Sequence, residues 1–248
     1  MIDLAGRVAV VTGGGGGIGS AICQRLAILG ASVVVVVAER LERAQWLAAS
    51  LPGTGHLAVR VRVDESAEVA ELASMVAATY GRIDVLVNSA GVTRPVAHAD
   101  LDALNDELID HIFRVNWRGS FATIRAFQTM LAADNGAVVI NISSIAGVTG
   151  MGSNVAYCAS KAAVDSMTRS LARALAPAVR VVSISPGWVE GEYASSMPRE
   201  LLDTQTAATP LGRLATPFDV ADAVEAALIL RAMTGAVIAV DGGRMLGL

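Results

Sequence analysis

Cysteine, histidine, aromatic side chains and charge are all scarce in this chain of 248 residues. It has two cysteines, three histidines, 4% aromatics and 17% charged residues. Cys23 and Cys158 cannot form a disulfide framework, and both lie in helix-like segments. His56, His98 and His111 do not cluster, and no ligand spacing accompanies them, so no metal site is expected. Each reads most simply as a surface or loop residue. Nineteen Lys and Arg against 23 Asp and Glu leave a formal charge of −4, with no basic stripe to neutralise nucleic-acid phosphates. The apolar stretch 33–38 is far too short to span a bilayer, and the start of the chain lacks the basic residues and apolar core of a secretory leader. The expectation is a cytoplasmic protein with neither a membrane nor a nucleic acid as partner.

Hydrophobic residues, at 53%, are abundant instead, and the length is within reach of one large α/β domain. Apolar strand-like runs fall at 8–12, 32–37, 57–63, 85–88, 137–143, 180–185 and 236–240. Helical stretches separate most of them, at 20–29, 41–50, 66–80, 106–114 running on to 131, 157–176 and 219–230. Buried strands alternating with helices predict a parallel sheet covered on both faces, and right-handed crossovers make it doubly wound. Neither a linker nor an internal repeat interrupts the chain, so 1–248 reads as a single domain. The glycine- and proline-containing stretch 187–217 breaks the alternation and reads as a substrate lid.

Two patterns carry chemistry. The first strand runs into Thr12-Gly13-Gly14-Gly15-Gly16-Gly17-Ile18-Gly19, and a helix with Ile22, Leu26 and Leu29 on one stripe follows. Glycines let a backbone turn tightly and approach a pyrophosphate, which rests on the positive end of the helix. A flexible glycine linker would not be clamped between a buried strand and an amphipathic helix. The second pattern is Tyr157-x-x-x-Lys161. A helix stacks residues four apart on one face, and a nearby cation lowers a phenol's pKa toward the range useful for acid–base work. Alone this pair is more often a helix surface; with a dinucleotide turn upstream it gains meaning.

In a doubly wound sheet functional residues gather at the carboxyl ends of strands. Asn88-Ser89-Ala90-Gly91, Ser143-Ser144 and Pro186-Gly187 all fall there. Together with Asn116 and the late Asp241-Gly242-Gly243, these motifs resemble the short-chain dehydrogenase/reductase family in its single-domain form, across essentially the whole chain. Ser144 lies thirteen residues before Tyr157, that family's usual interval.

The resemblance implies a Rossmann-like fold and a nicotinamide coenzyme. It implies that Tyr157 exchanges a proton with the carbonyl or carbinol oxygen. Lys161 would lower the phenol's pKa and hydrogen-bond the nicotinamide ribose. Ser144 would hold the substrate oxygen, and Asn116 would anchor a water leading to Lys161. Gly13, Gly17, Ile18, Gly19, Asn88, Ala90, Gly91, Pro186, Gly187 and Val189 would border the coenzyme. It also implies a homotetramer, with one interface made by the helices carrying Asn116 and Tyr157 and another near 234–238 and the C-terminal tail.

Several positions depart from the family. The usual coenzyme-selecting Asp is replaced by Val37, followed by Ala38, Glu39 and Arg40. Glu39 reaching a ribose 2′-hydroxyl would favour NAD(H), and Arg40 meeting a 2′-phosphate would favour NADP(H). Both can equally cap a solvated loop. Gly16 stands where NADP-preferring members often carry a base, which tips the balance toward NAD(H). The adenine-contacting Asp aligns with Arg62, leaving Asp64 as its substitute, and Gly191 replaces a Thr that would bond the nicotinamide amide.

Acyl-carrier-protein ketoreductases of this family hold the carrier with surface arginines. Here 131–135 is not basic, and Ala178 falls where such an arginine is expected. A small or medium apolar ketone or secondary alcohol is therefore expected, lined by Val148, Met151, Trp188, Tyr193 and Met197. The alternatives are a non-catalytic dinucleotide-binding or redox-sensing protein, and a dehydratase or epimerase on the same fold.

Overall fold

A computed structural model describes residues 2–134 and 136–247; residues 1, 135 and 248 lie outside the description, so residue 135 of the non-basic stretch is not placed. In chain order the first half holds β1 (Val8–Thr12), α1 (Gly17–Ile28), β2 (Ser32–Val37), α2 (Leu41–Ser50), β3 (Leu57–Arg60), α3 (Ser66–Tyr80) and β4 (Val85–Asn88). The second half begins with α4 (Asp106–Phe113), a π-helical stretch at Arg114–Gly119 and α5 (Ser120–Ala132). It continues through β5 (Ala137–Ile142), α6 (Ala146–Thr149), α7 (Val155–Leu175) and β6 (Val179–Pro186). The chain then forms α8 (Glu192–Ser195), α9 (Arg199–Ala207), α10 (Pro217–Ile229), β7 (Val237–Val240) and a 3₁₀ turn at Arg244–Gly247.

All strand pairs are parallel, in the order β3-β2-β1-β4-β5-β6-β7. The strand order reverses between β1 and β4, where Thr12 lies opposite Asn88. This α/β sheet is the doubly wound architecture expected. Strand periodicity explains the two cores. Val33, Val35 and Val37 pack with α1, α2 and α10 on one face, including Ile22, Leu26, Leu47 and Val224. Val34 and Val36 point the other way, to Leu72 and Val76 of α3, Phe127 of α5 and Met167 of α7. A fully buried side chain of this kind contributes about 1.5–3 kcal/mol, so both faces of the central strands are strongly anchored.

Four local expectations are corrected. The third strand stops at Arg60 instead of reaching 63. It is an edge strand paired only with β2; Val61 makes one last backbone bond to Val37, and the chain then turns, with Glu65 bonding back to Arg62. The helix carrying Tyr157 begins two residues earlier, because the Asn154 side chain caps it. The long helix through 106–131 contains the π-helical stretch, which carries Asn116. The segment 187–217, read as a break in the alternation, holds the short helices α8 and α9.

Candidate active site

The glycine-rich turn lies at the carboxyl end of β1. Gly13 has φ +66°, and a Cβ there would sit 2.8 Å from the Ala90 nitrogen and the Ser89 carbonyl oxygen. A Cβ on Gly19 would lie 2.1 Å from the Gly13 carbonyl oxygen, so the turn folds tightly onto the first turn of α1. Gly16 and Gly17 face open space instead: a Cβ would meet nothing nearer than 3.4 Å and 3.9 Å, respectively. No side chain caps α1 and its first turn holds no acid. Open backbone at an uncapped helix N-terminus forms a cradle suited to phosphate.

Thr12, to which the sequence reading assigned no role, ties this turn to the next. Its Oγ1 accepts from the amides of Ser89 and Ala90, each at 3.2 Å, and donates to the Val87 carbonyl at 3.4 Å. The β1 and β4 ends are thereby locked side by side. Ala90 and Gly91 border the crevice. Asn88 is different: its side chain is buried, donating to Asn141 Oδ1 at 2.9 Å and accepting from Thr123 at 2.6 Å. Asn141 in turn donates to Thr168 at 2.9 Å. This buried polar chain joins β4, β5, α5 and α7, so Asn88 reaches the crevice only through its backbone.

Asn116 faces the same loop. Its Oδ1 accepts from the Val92 amide at 2.8 Å, and its Nδ2 donates to the Val92 carbonyl and to Ser160 Oγ, both at 3.1 Å. Both amide hydrogens are used, leaving one acceptor lone pair. A side chain at Gly91 would lie 3.5 Å from Asn116 Oδ1 and 3.6 Å from Lys161 Nζ. The glycine keeps the space between those two groups open.

Across the crevice, Ser144 follows β5 and Tyr157 and Lys161 project from α7. The Ser144 hydroxyl accepts from the Ala146 amide at 3.2 Å and donates toward the Pro186 carbonyl at 3.4 Å. Asn154 fixes the start of α7: its Oδ1 accepts from the Tyr157 amide at 2.7 Å and its Nδ2 donates to the Arg94 carbonyl at 2.8 Å. The sequence reading missed Asn154; an Asn three residues before Tyr157 is an N-cap signal that would have found it. Lys161 donates to the Ile142 carbonyl at 2.9 Å, and its Nζ is 5.7 Å from the centre of the Tyr157 ring.

The electrostatics reverse one expectation. Tyr157 is not depressed by Lys161; burial pushes its phenol up to about 12, against an opposing pull from the Ser144 hydrogen bond. Burial also brings Lys161 down to about 8, with Asp165 opposing. Both shifts arise because a charged form loses water on burial.

The residues expected to select the adenosine end lie around β2 and β3. Glu39 and Arg40 are both exposed, and Arg40 is, among the described residues, the sole non-glycine with left-handed backbone, at φ +56°. Asp64 is not a free acceptor. It is buried, and its carboxylate meets Arg62 at 3.0 Å and Arg114 at 3.8 Å. Burial alone would raise it, but the Arg62 hydrogen bond and charge hold it below the usual carboxylate range. Arg62 is the outward-facing group, and Asp64 orients it.

The residues after β6 complete the wall. Gly187 donates to the Val240 carbonyl at 3.0 Å and packs on Asp241, which leaves no room for a side chain. Val189 bridges in parallel to Ala215. Trp188 stacks on Tyr193 at 6.2 Å, and Val148 and Met151 are exposed nearby in sequence to Ser144 and Tyr157.

A doubly wound sheet with a glycine-lined crevice at its switch point defines the Rossmann-like α/β class. The chain belongs, more narrowly, to the short-chain dehydrogenase/reductase family of oxidoreductases. A family model described as enoyl-(acyl carrier protein) reductase matches residues 13–244. A protein of Streptomyces violaceoruber, named as a ketoacyl reductase of the granaticin polyketide synthase, is 40% identical over 238 residues, covering 95% of each chain. The cis-4-hydroxycyclohexanecarboxylate dehydrogenase of Sinomonas cyclohexanicum is 38% identical over 245 residues, covering 96% of each. A solved short-chain dehydrogenase/reductase from Brucella melitensis, titled a glucose/ribitol dehydrogenase, superposes with a TM-score of 0.90 at 29% identity, covering 98% of each chain. The family binds NAD(P)(H). Among the described residues, no helix is long and apolar enough to cross a membrane.

Proposed function

We propose that this protein interconverts a ketone and a secondary alcohol by hydride transfer with NAD(P)(H). The observation that carries the reading is the pairing of Tyr157 with Lys161 one helical turn on, the buried ammonium 5.7 Å from the centre of the phenol ring, with Ser144 at the end of the adjacent strand acting on the same phenol. The glycine turn fits a pyrophosphate, because Gly13 and Gly19 have no room for a side chain while Gly16 and Gly17 offer open backbone. Gly13, Gly17, Ile18 and Gly19 would hold the pyrophosphate. Ala90, Gly91, Pro186, Gly187 and Val189 would border the remainder, Lys161 the nicotinamide ribose, and Glu39, Arg40 and Arg62 the adenosine end. When bound, the nicotinamide supplies or accepts the hydride.

The chain's own groups manage the proton and the developing charge. Tyr157, protonated at neutral pH, donates to the carbonyl oxygen in reduction and takes the proton back in oxidation. Ser144 holds that oxygen and donates to it as negative charge grows. Lys161 titrates at about 8, so near neutral pH it is mostly an ammonium that favours the phenolate left behind. Asn116 fixes the Val92 backbone opposite Lys161, and its remaining lone pair can receive a water between the two.

The substrate is a small or medium apolar ketone, with residues 187–217 as its lid. The names of two relatives, a ketoacyl reductase and a dehydrogenase of a hydroxylated cyclohexane acid, agree with a carbonyl-bearing apolar substrate. A cytoplasmic homotetramer completes the reading; the exposed Leu246 in the C-terminal tail is apolar surface for a second copy to cover.

The test is oxidation of NADH and NADPH with a panel of linear and cyclic ketones, wild type beside Tyr157→Phe. Turnover by wild type alone is expected. Coenzyme binding without turnover of any ketone would favour the non-catalytic alternative.

A further inference from the structure

Glu192 forms an ionic bridge that the family resemblance does not anticipate. It opens α8, in the segment after β6, yet its carboxylate reaches the opposite side of the crevice. There it meets Arg43 of α2 at 2.5 Å and Arg40, which precedes α2, at 3.6 Å. The pairing depresses the Glu192 carboxyl, with the Arg43 hydrogen bond as the main cause. The same segment touches down again beyond α9, where Pro217 approaches Gly17. Glu192 is thus the segment's contact at the end of the crevice around β2.

Two arginines at the carboxyl end of β2 form the set that would recognise a 2′-phosphate. Here they are already occupied. We propose that Glu192 is a specificity determinant that disfavours the 2′-phosphate of NADP(H): it occupies Arg40 and Arg43, cancels one of their two positive charges, and sets a carboxylate in competition with that phosphate for the same guanidiniums. An adenosine ribose with free hydroxyls loses nothing to this arrangement, whereas a 2′-phosphate must displace Glu192 and meets like charge as it approaches. The latch also fixes α8, so a ligand that breaks it loosens the segment next to Trp188 and Tyr193. Specificity of this kind rests on a repulsive element as much as on an attractive one. All three side chains are substantially exposed, at 67% for Glu192, 70% for Arg40 and 48% for Arg43. The discrimination is therefore modest and screened by salt.

This inference rests on the dinucleotide reading above, and the experiment separates the two. Calorimetric dissociation constants for NADH and NADPH are measured without any ketone, at low salt, for wild type, Glu192→Gln and Glu190→Gln. The Glu190 variant removes the same charge from the same segment without touching Arg40 or Arg43. Glu192→Gln should tighten NADPH about tenfold relative to NADH, the worth of about one charge-assisted contact, while Glu190→Gln keeps the wild-type ratio. Adding Arg40→Ala and Arg43→Ala to Glu192→Gln should remove the gain. A ratio unchanged by Glu192→Gln, or moved equally by Glu190→Gln, overturns the latch while leaving the dinucleotide site intact. A wild type that binds neither coenzyme overturns the dinucleotide reading and the latch together.

Discussion

The two ends of the crevice are built from different materials. Around β2 and β3, charge lies at the surface: Arg40, Arg43, Arg62 and Glu192 pair with one another or with Asp64 in contact with water. Around β5 and α7, Lys161, Asn116, Asn154 and Ser160 are buried, Tyr157 is half-buried, and each has a named partner. Water screens the first group, so its members are individually weak and exchangeable. Its removal from the second shifts Tyr157 and Lys161 in opposite directions and raises the cost of any error. On the proposed reading, selection of a coenzyme can drift by surface substitutions, whereas proton transfer depends on a packed interior.

That contrast breaks first at Tyr157. Replacing it with Phe should cut kcat by about 10²–10⁴-fold, the range of general acid–base catalysis. NADH affinity, measured by titration, should stay near wild type; undiminished turnover would remove Tyr157 from the chemistry.

Lys161 tests the buried end through stability. Its folded pKa of about 8 lies below the ordinary 10.5, so the buried ammonium destabilises the fold fully below pH 8. The cost is relieved as pH rises from 8 through 10.5. Lys161→Met should thus be more stable than wild type at pH 7, by up to about 3 kcal/mol before the orphaned Ile142 carbonyl takes back about 1 kcal/mol. Denaturant titrations should show that advantage shrinking between pH 8 and 10. Tyr157 acts in the opposite sense: its pKa is raised from 10 to about 12, so stability falls across that window as the unfolded phenol ionises first.

Gly19→Ala and Gly17→Ala sharpen the comparison within the glycine turn. The first forces a Cβ to 2.1 Å from a carbonyl and should cost about 1–3 kcal/mol. The second enters open space and should leave the melting temperature nearly unchanged while weakening coenzyme binding. Equal melting temperatures for the two would refute the packing argument.

Asn154→Ala removes the cap of α7 and should cost about 1 kcal/mol. A drop in kcat larger than the stability loss explains would mark it as a positioning residue for Tyr157. Smallest of all, Arg62→Ala should leave the melting curve close to that of wild type, because Arg62 is exposed and Arg114 still faces Asp64. A larger loss would mean that the surface end is more cooperative than its exposure implies.

Much of this was legible along the chain. The valine run of β2 showed a strand buried on both faces, and the glycines between β1 and α1 showed the crevice, because local backbone rules govern both. The spacing from Ser144 to Tyr157 and Lys161 marked the residues that the fold brings together. Partner choice was harder to see. Asn88 was read as bordering the coenzyme, yet its side chain serves a buried chain through Asn141 and Thr168, whose positions relative to it are set only by packing. Asp64 was read as an adenine contact, yet Arg62 and Arg114 claim it. Glu192 lies 149 residues from Arg43, and no local rule connects them.

The sequence by itself determined the sheet, the turn at its switch point and the identities of Ser144, Tyr157 and Lys161, because periodicity, glycine freedom and helical spacing act over a few residues. Only the tertiary structure decided the protonation of Tyr157 and Lys161, the partners of Asn88 and Asp64, and the bridge from Glu192 to Arg40 and Arg43. Desolvation and charge pairing depend on what distant segments place alongside a group, and that neighbourhood exists only once the chain has closed on itself.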